Sequence, residues 1–150
     1  LIYVAMRFDY QYSPGAVICL FHDAVLTLAI YDFVGKEMNI AIMAAVLTLI
    51  GFSLNDTIVV FDRIRETVGK YKNHGMEFVI NKAVNDMLGR TFITAGSVFI
   101  SSLCLYIFAG GVVSDIAFIL SIGIIFGIYS SVFVAAPLIV IVDRLRKPAV

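Results

Sequence analysis

The sequence has 150 residues, 61% of them hydrophobic and 15% charged, with a mean hydropathy of +0.97. Soluble domains run at roughly 45–50% apolar, so water is excluded as the only solvent. Eleven basic residues balance eleven acidic ones, which leaves no global field of the kind that recruits nucleic acid.

The charges gather in short stretches separated by apolar runs of about 20 residues, the length that crosses roughly 30 Å of hydrocarbon. This pattern predicts an all-α integral membrane protein: about five transmembrane helices, the first truncated, in one domain over residues 1–150. Leu1–Met6 is an apolar stub too short to span, as if the chain began partway along a helix. A polar connection, Arg7 to Pro14, leads to a second span at about 16–33. A tight loop, Val34 to Asn39, precedes a third at about 40–61, which carries Asn55 and Asp56 inside it. Residues 62–90 are polar, and their second half sets Met76, Val79, Ile80, Ala83, Val84, Met87 and Leu88 at three- and four-residue spacing. That is the pattern of an amphipathic helix, expected here on the membrane surface. A fourth span follows at about 91–108, then a Gly110-Gly111 turn, then a fifth span at about 115–142.

Cytoplasmic loops collect Lys and Arg. Six basic residues lie between Arg63 and Arg90 and three in the tail (Arg144, Arg146, Lys147), while the two opposite loops hold only Lys36. The basic loop and the C-terminus are therefore expected to face the cytoplasm. Cys19 and Cys104 sit in different apolar runs with no neighbouring ligand at metal spacing, so they read as small packing residues.

Asp56 is the sharpest feature. It lies 17 residues beyond Asn39, about 25 Å along a helix rising 1.5 Å per residue, inside the bilayer. A carboxylate there is costly unless paired or wetted, and such residues commonly mark a cavity or proton path; the alternative is a structural aspartate bonded to neighbouring helices. Burial disfavours the charged form of a carboxyl and a nearby cation favours it, so alternation between the two loads and releases protons. Arg90, at the entry of the fourth span, is the candidate cation, with lipid-facing anchorage as its alternative. It opens a stripe of Arg90, Thr94, Ser97 and Ser101, which serves equally as a water-holding route or as interhelical glue. His22 and Asp23, in the second span, divide between a structural hydrogen-bond role and proton passage. On the fifth span Gly123, Gly127 and Ser131 recur every four residues, the small-residue spacing of close helix packing. No phosphate-binding loop, metal-spaced His or Cys cluster or nucleophile motif is present in the sequence. The reading is a transport protein rather than an enzyme.

The run Gly51–Glu66, GFSLNDTIVVFDRIRE, resembles the signature of the SecF family of protein-export membrane proteins. LFHDAVLTLAIY (20–31) and GRTFITAGS (89–97) resemble family segments in the same order. The resemblance implies a subunit with six membrane helices and an extracytoplasmic domain, the first helix and the domain being absent from this sequence. It further implies a resistance-nodulation-division type of bundle in the bacterial inner membrane, paired with SecD beside the Sec channel. There the proton gradient promotes export of a preprotein handled mainly by the absent domain. By residue match Asp56 falls on the family's proton-linked aspartate and Arg90 on its associated arginine, with Asn55, Asp23 and His22 near the path. No cofactor is implied beyond the coupling ion, a proton or in its place sodium. Two rivals remain at this level: half of a small-molecule or lipid exporter of the same superfamily, and a structural membrane scaffold.

Overall fold

The structure, a computed structural model, describes residues 13–71 and 75–146. The apolar stub at 1–6 lies outside the described residues. Four rods make up the described fold: α1 (Ser13–Phe33), α2 (Ile40–Lys70), α3 (Met76–Phe108), and a last rod in which α4 (Gly111–Ser130) passes through a π-helical turn (Ser131–Ala135) into α5 (Ala136–Arg146). Four helices are long and apolar enough to cross a membrane, and each corresponds to one of the complete spans expected.

Local chemistry fixes the ends. Asn39 has extended backbone and its side-chain oxygen accepts from the Ile42 N–H at 3.0 Å, a cap of the type that stabilises a helix start by about 1 kcal/mol. Gly35 closes the α1–α2 turn at φ +76° and Gly111 opens α4 at φ +58°, a region that side chains with a Cβ avoid. At this end Lys36 bonds to Asp115 at 2.5 Å and lies 4.9 Å over the Phe118 ring. The pair ties the first loop to the start of α4.

The expected cytoplasmic loop with a separate surface helix needs correction. α2 runs on to Lys70, and α3 begins at Met76 without a break before Phe108. At 1.5 Å per residue these helices of 31 and 33 residues are about 46 and 50 Å long, well beyond roughly 30 Å of hydrocarbon. The surplus projects as a helical hairpin at the basic end. The amphipathic stripe is real, yet Val79, Ile80, Ala83 and Met87 are buried within the protein, not turned to lipid. Ile80 and Ala83 join Val60, Phe61 and Ile64 of α2 and Ala135, Ala136 and Ile139 of the last rod in one apolar cluster. Protein rather than lipid satisfies the apolar face because α2 extends equally far alongside it. Arg63 clamps the hairpin, reaching Glu66 at 2.8 Å on its own helix and Asp86 of α3 at 3.1 Å.

Inside the bilayer the hydrophobic effect gives helices no reason to associate, so close packing and hydrogen bonds must do it. α4 supplies both. Gly123 is buried against Leu49 so closely that a Cβ would overlap its Cγ and both Cδ atoms, and a Cβ on Gly127 would lie 3.8 Å from Ser53. One turn further, Ser131 donates to Asp56. Leu49, Ser53 and Asp56 thus run down one face of α2 against the Gly123–Gly127–Ser131 line.

Candidate functional site

Two aspartates from different helices meet the last rod at consecutive serines. Asp56, half-buried on α2, accepts from Ser131 Oγ at 3.0 Å through Oδ2 and from Thr91 Oγ1 at 3.5 Å through Oδ1. Asp23, on α1, is 1% exposed, and its Oδ2 accepts from Ser53 Oγ at 2.5 Å and Ser130 Oγ at 2.7 Å. Its other oxygen lies 3.2 Å from His22 Nδ1. His22 is partly exposed where Asp23 points inward, as adjacent helical residues separated by about 100° must be. Ser130 ends α4 and Ser131 opens the π-helical turn, a local widening found often at functional sites.

Asp56 borders a cleft of about 80 Å³ with Phe52, Asn55, Val59, Arg90, Thr91 and Thr94. A second, surface cleft is lined by Asp62, Arg63, Glu66, Met87 and Arg90, with Ile58 and Val59. Val59 and Arg90 belong to both. Arg90 therefore stands between the intramembrane carboxylate and the charged hairpin. Among the described residues no carboxylate forms an ion pair with it, and the donors on Asp56 are hydroxyls.

Of the residues singled out in the sequence, Asn55, Asp56, Arg90 and Thr94 share one cleft. Asp23 joins the same network through Ser53 and the serine pair. Ser97 does not line the cleft: its hydroxyl donates to the Thr94 carbonyl at 2.8 Å, as Ser101 donates to that of Ser97. Both are exposed on the outer face of α3. Thr91, Ser53 and Ser130 carry contacts that sequence reasoning missed. Ser53 precedes Asp56 by three positions on the same helix face, and Ser130-Ser131 is the one adjacent pair of serines in the largely apolar last span. Those two signals were available. The inward turn of Thr91 rather than Arg90 depends on helix rotation, which spacing alone does not give.

Fold and site together define a class: a multi-pass helical membrane protein whose ionisable side chains meet where its helices cross, within the span. Within that class the chain belongs to the SecD/SecF family, since the profile of "Protein export membrane protein SecD/SecF, C-terminal" matches residues 1–145. It is 46% identical over 149 residues to the protein translocase subunit SecF of Calditerrivibrio nitroreducens, covering 98% of this chain and 49% of that protein. Against the protein translocase subunit SecF of Koribacter versatilis it is 41% identical over 146 residues, covering 97% and 36%. The crystal structure of SecDF, a translocon-associated membrane protein from Thermus thermophilus, matches with a TM-score of 0.90 at 34% identity, over 97% of this chain and 20% of that one. The chain spans about half, or less, of the length of these relatives.

Proposed function

We propose that this chain is the membrane portion of a SecF-type subunit that pairs with SecD beside the Sec channel and uses the proton gradient to promote preprotein export. The observation that carries this reading is Asp56: a carboxyl within a span, bonded only to neutral hydroxyls among the described residues, opening on a cleft that also holds Arg90. Such a group binds a proton without a covalent rearrangement. Arg90, at the junction of two clefts, supplies the positive field that favours the charged form when the helices bring it closer. Asn55 and Thr94 give the cleft polar walls for water. Proton movement in turn alters which helix contacts are favourable, and the export step draws on that change.

The basic hairpin and the C-terminus face the cytoplasm in this reading, which puts Lys36 and Asp115 at the outer surface of the inner membrane. Thr94, Ser97 and Ser101, exposed on α3 together with Ile93 and Ile100, face a partner helix bundle, SecD. The test has two arms. Asp56→Asn, close in shape and not titratable, abolishes gradient-dependent export while the full-length subunit still copurifies with SecD and the Sec channel. Full export by that variant would remove the mechanism, and failure to copurify in the wild type would remove the assignment of partners.

A further inference from the structure

The serine that holds Asp56 has more acceptors than hydrogens. A serine hydroxyl donates one hydrogen, yet Ser131 Oγ lies 3.0 Å from Asp56 Oδ2, 2.9 Å from the Gly127 carbonyl oxygen and 3.1 Å from that of Ile128. The three acceptors are nearly equidistant, so rotation about the Cβ–Oγ bond can direct the hydrogen to any of them with no heavy atom displaced. Ser130, its neighbour, is different. It lies 2.7 Å from Asp23 Oδ2 and 3.2 Å from the Gly127 oxygen, a geometry that commits its hydrogen to Asp23. The same Asp23 oxygen also accepts from Ser53, and the other lies 3.2 Å from His22 Nδ1.

We propose that Ser131 is a positioning residue for Asp56 and a two-way hydroxyl switch, donating to the carboxylate when Asp56 is charged and to the Gly127 carbonyl when Asp56 is protonated. The inference rests on the reading of Asp56 as a proton carrier. An ionised carboxylate only accepts, whereas a carboxylic acid carries an O–H of its own. Protonated on Oδ2, the oxygen that faces Ser131, Asp56 donates to Ser131 Oγ, and the serine hydrogen turns to a carbonyl. The backbone there is able to respond. The Ser131 N–H is already shared between the Gly127 and Ile128 carbonyls at the entry to the π turn, so a hydroxyl arriving on Gly127 O weakens that carbonyl's hold on the N–H and biases it towards Ile128. The turn sits between α4 and α5, and Ala135, Ala136 and Ile139 below it pack on the α2–α3 hairpin. Ser130, pinned to Asp23, keeps the turn anchored while its neighbour switches.

The charged groups facing Asp56 are few among the described residues. Arg90 of α3 shares its cleft, Asp23 of α1 reaches the adjacent serine, and the last rod presents hydroxyls only. Asp62 and Arg63, on its own helix, lie further towards the basic end and line the second cleft.

The test is isotope-edited infrared spectroscopy of the full-length subunit, its glycines carrying 13C carbonyls, reassembled with unlabelled partners in a bilayer. The Asp56 carboxylic band is identified by its loss in Asp56→Asn. The Gly127 band is identified by Gly127→Ala, whose Cβ would meet Ser53 at an ordinary 3.8 Å. In the wild type, acidification that raises the carboxylic band should move the Gly127 carbonyl to lower frequency, the sign of an added donor. Ser131→Ala should lose that shift while keeping the carboxylic band, and Ser131→Thr, which retains a hydroxyl, should restore it. A shift that persists in Ser131→Ala overturns the inference, as does a wild-type carboxylic band that titrates with no carbonyl shift. If the Asp56 band never titrates, the proton-carrier reading fails first and takes the switch with it.

Discussion

Leu49 of α2 packs directly on Gly123 of α4. A methyl group on Gly123 would land on Leu49 Cγ as well as its two Cδ atoms, so rotating the tip of the leucine does not clear it. Leu49 is 1% exposed and has little room to retreat. Overpacking of this kind costs about 1–3 kcal/mol, while alanine in a helix is favoured over glycine by about 0.8–1.0 kcal/mol. Gly123→Ala should therefore lose about 0–2 kcal/mol. Leu49→Ala alone empties a buried site and should cost about 2–5 kcal/mol. In the double variant the new methyl occupies part of the space that Leu49 vacates, so the combined loss should fall short of the sum by about 1–3 kcal/mol. Denaturant or thermal unfolding of the full-length protein in detergent, for the four members of the cycle, measures this. Losses that add within about 0.5 kcal/mol would refute the contact as the basis of helix association.

Two further predictions concern the ends of the bundle. Asp115 beside Lys36 holds the ammonium above the ordinary lysine value of 10.5, its hydrogen bond outweighing the opposing effect of burial. A lysine held upward contributes stability that is complete below its unfolded value and is lost as pH rises through the folded one. Asp115→Asn should thus cost up to about 1 kcal/mol near neutrality, and its difference from wild type in thermal unfolding should shrink above pH 10.5; a gap that widens there would contradict the pairing. At the basic end, Lys82 and Arg63 hold the Asp86 carboxyl below its ordinary value of 3.8, so this link persists at neutral pH and is released as pH falls through that lowered value. Hydrogen exchange at 62–70 should accelerate in Asp86→Asn at neutral pH, and unchanged protection would show that the apolar cluster alone holds the hairpin.

Much of the fold is legible because membrane spans are written in length and apolarity, and α1, α2 and the last rod begin within a few residues of chemical signals such as Asn39 and Gly111. At residues 62–90 the sequence pattern and the hairpin differ for a definite reason. An apolar stripe at helical spacing states that a face will be covered, not whether lipid or a neighbouring helix covers it, and α2's continuation past Phe61 supplied the cover. The site was legible in its carboxylates, since Asp23 and Asp56 stand out in apolar runs. Its hydroxyls were less so. The spacing of Ser131 on the Gly123 line marks it as a small packing residue, and it also donates to Asp56. The assignment of hydrogen-bond partners to Thr91 and Ser130 required the rotation of each helix about its axis.

The proposed mechanism requires a proton bound and released by Asp56 within the span. Export into inverted vesicles carrying wild-type or Asp56→Asn subunit, with the proton gradient or the sodium gradient selectively collapsed, tests it most directly. The expected result is that collapsing the proton gradient lowers wild-type export to the level of Asp56→Asn, that collapsing the sodium gradient does not, and that the variant responds to neither. Export by Asp56→Asn that matches wild type and still falls when the proton gradient is removed would contradict it.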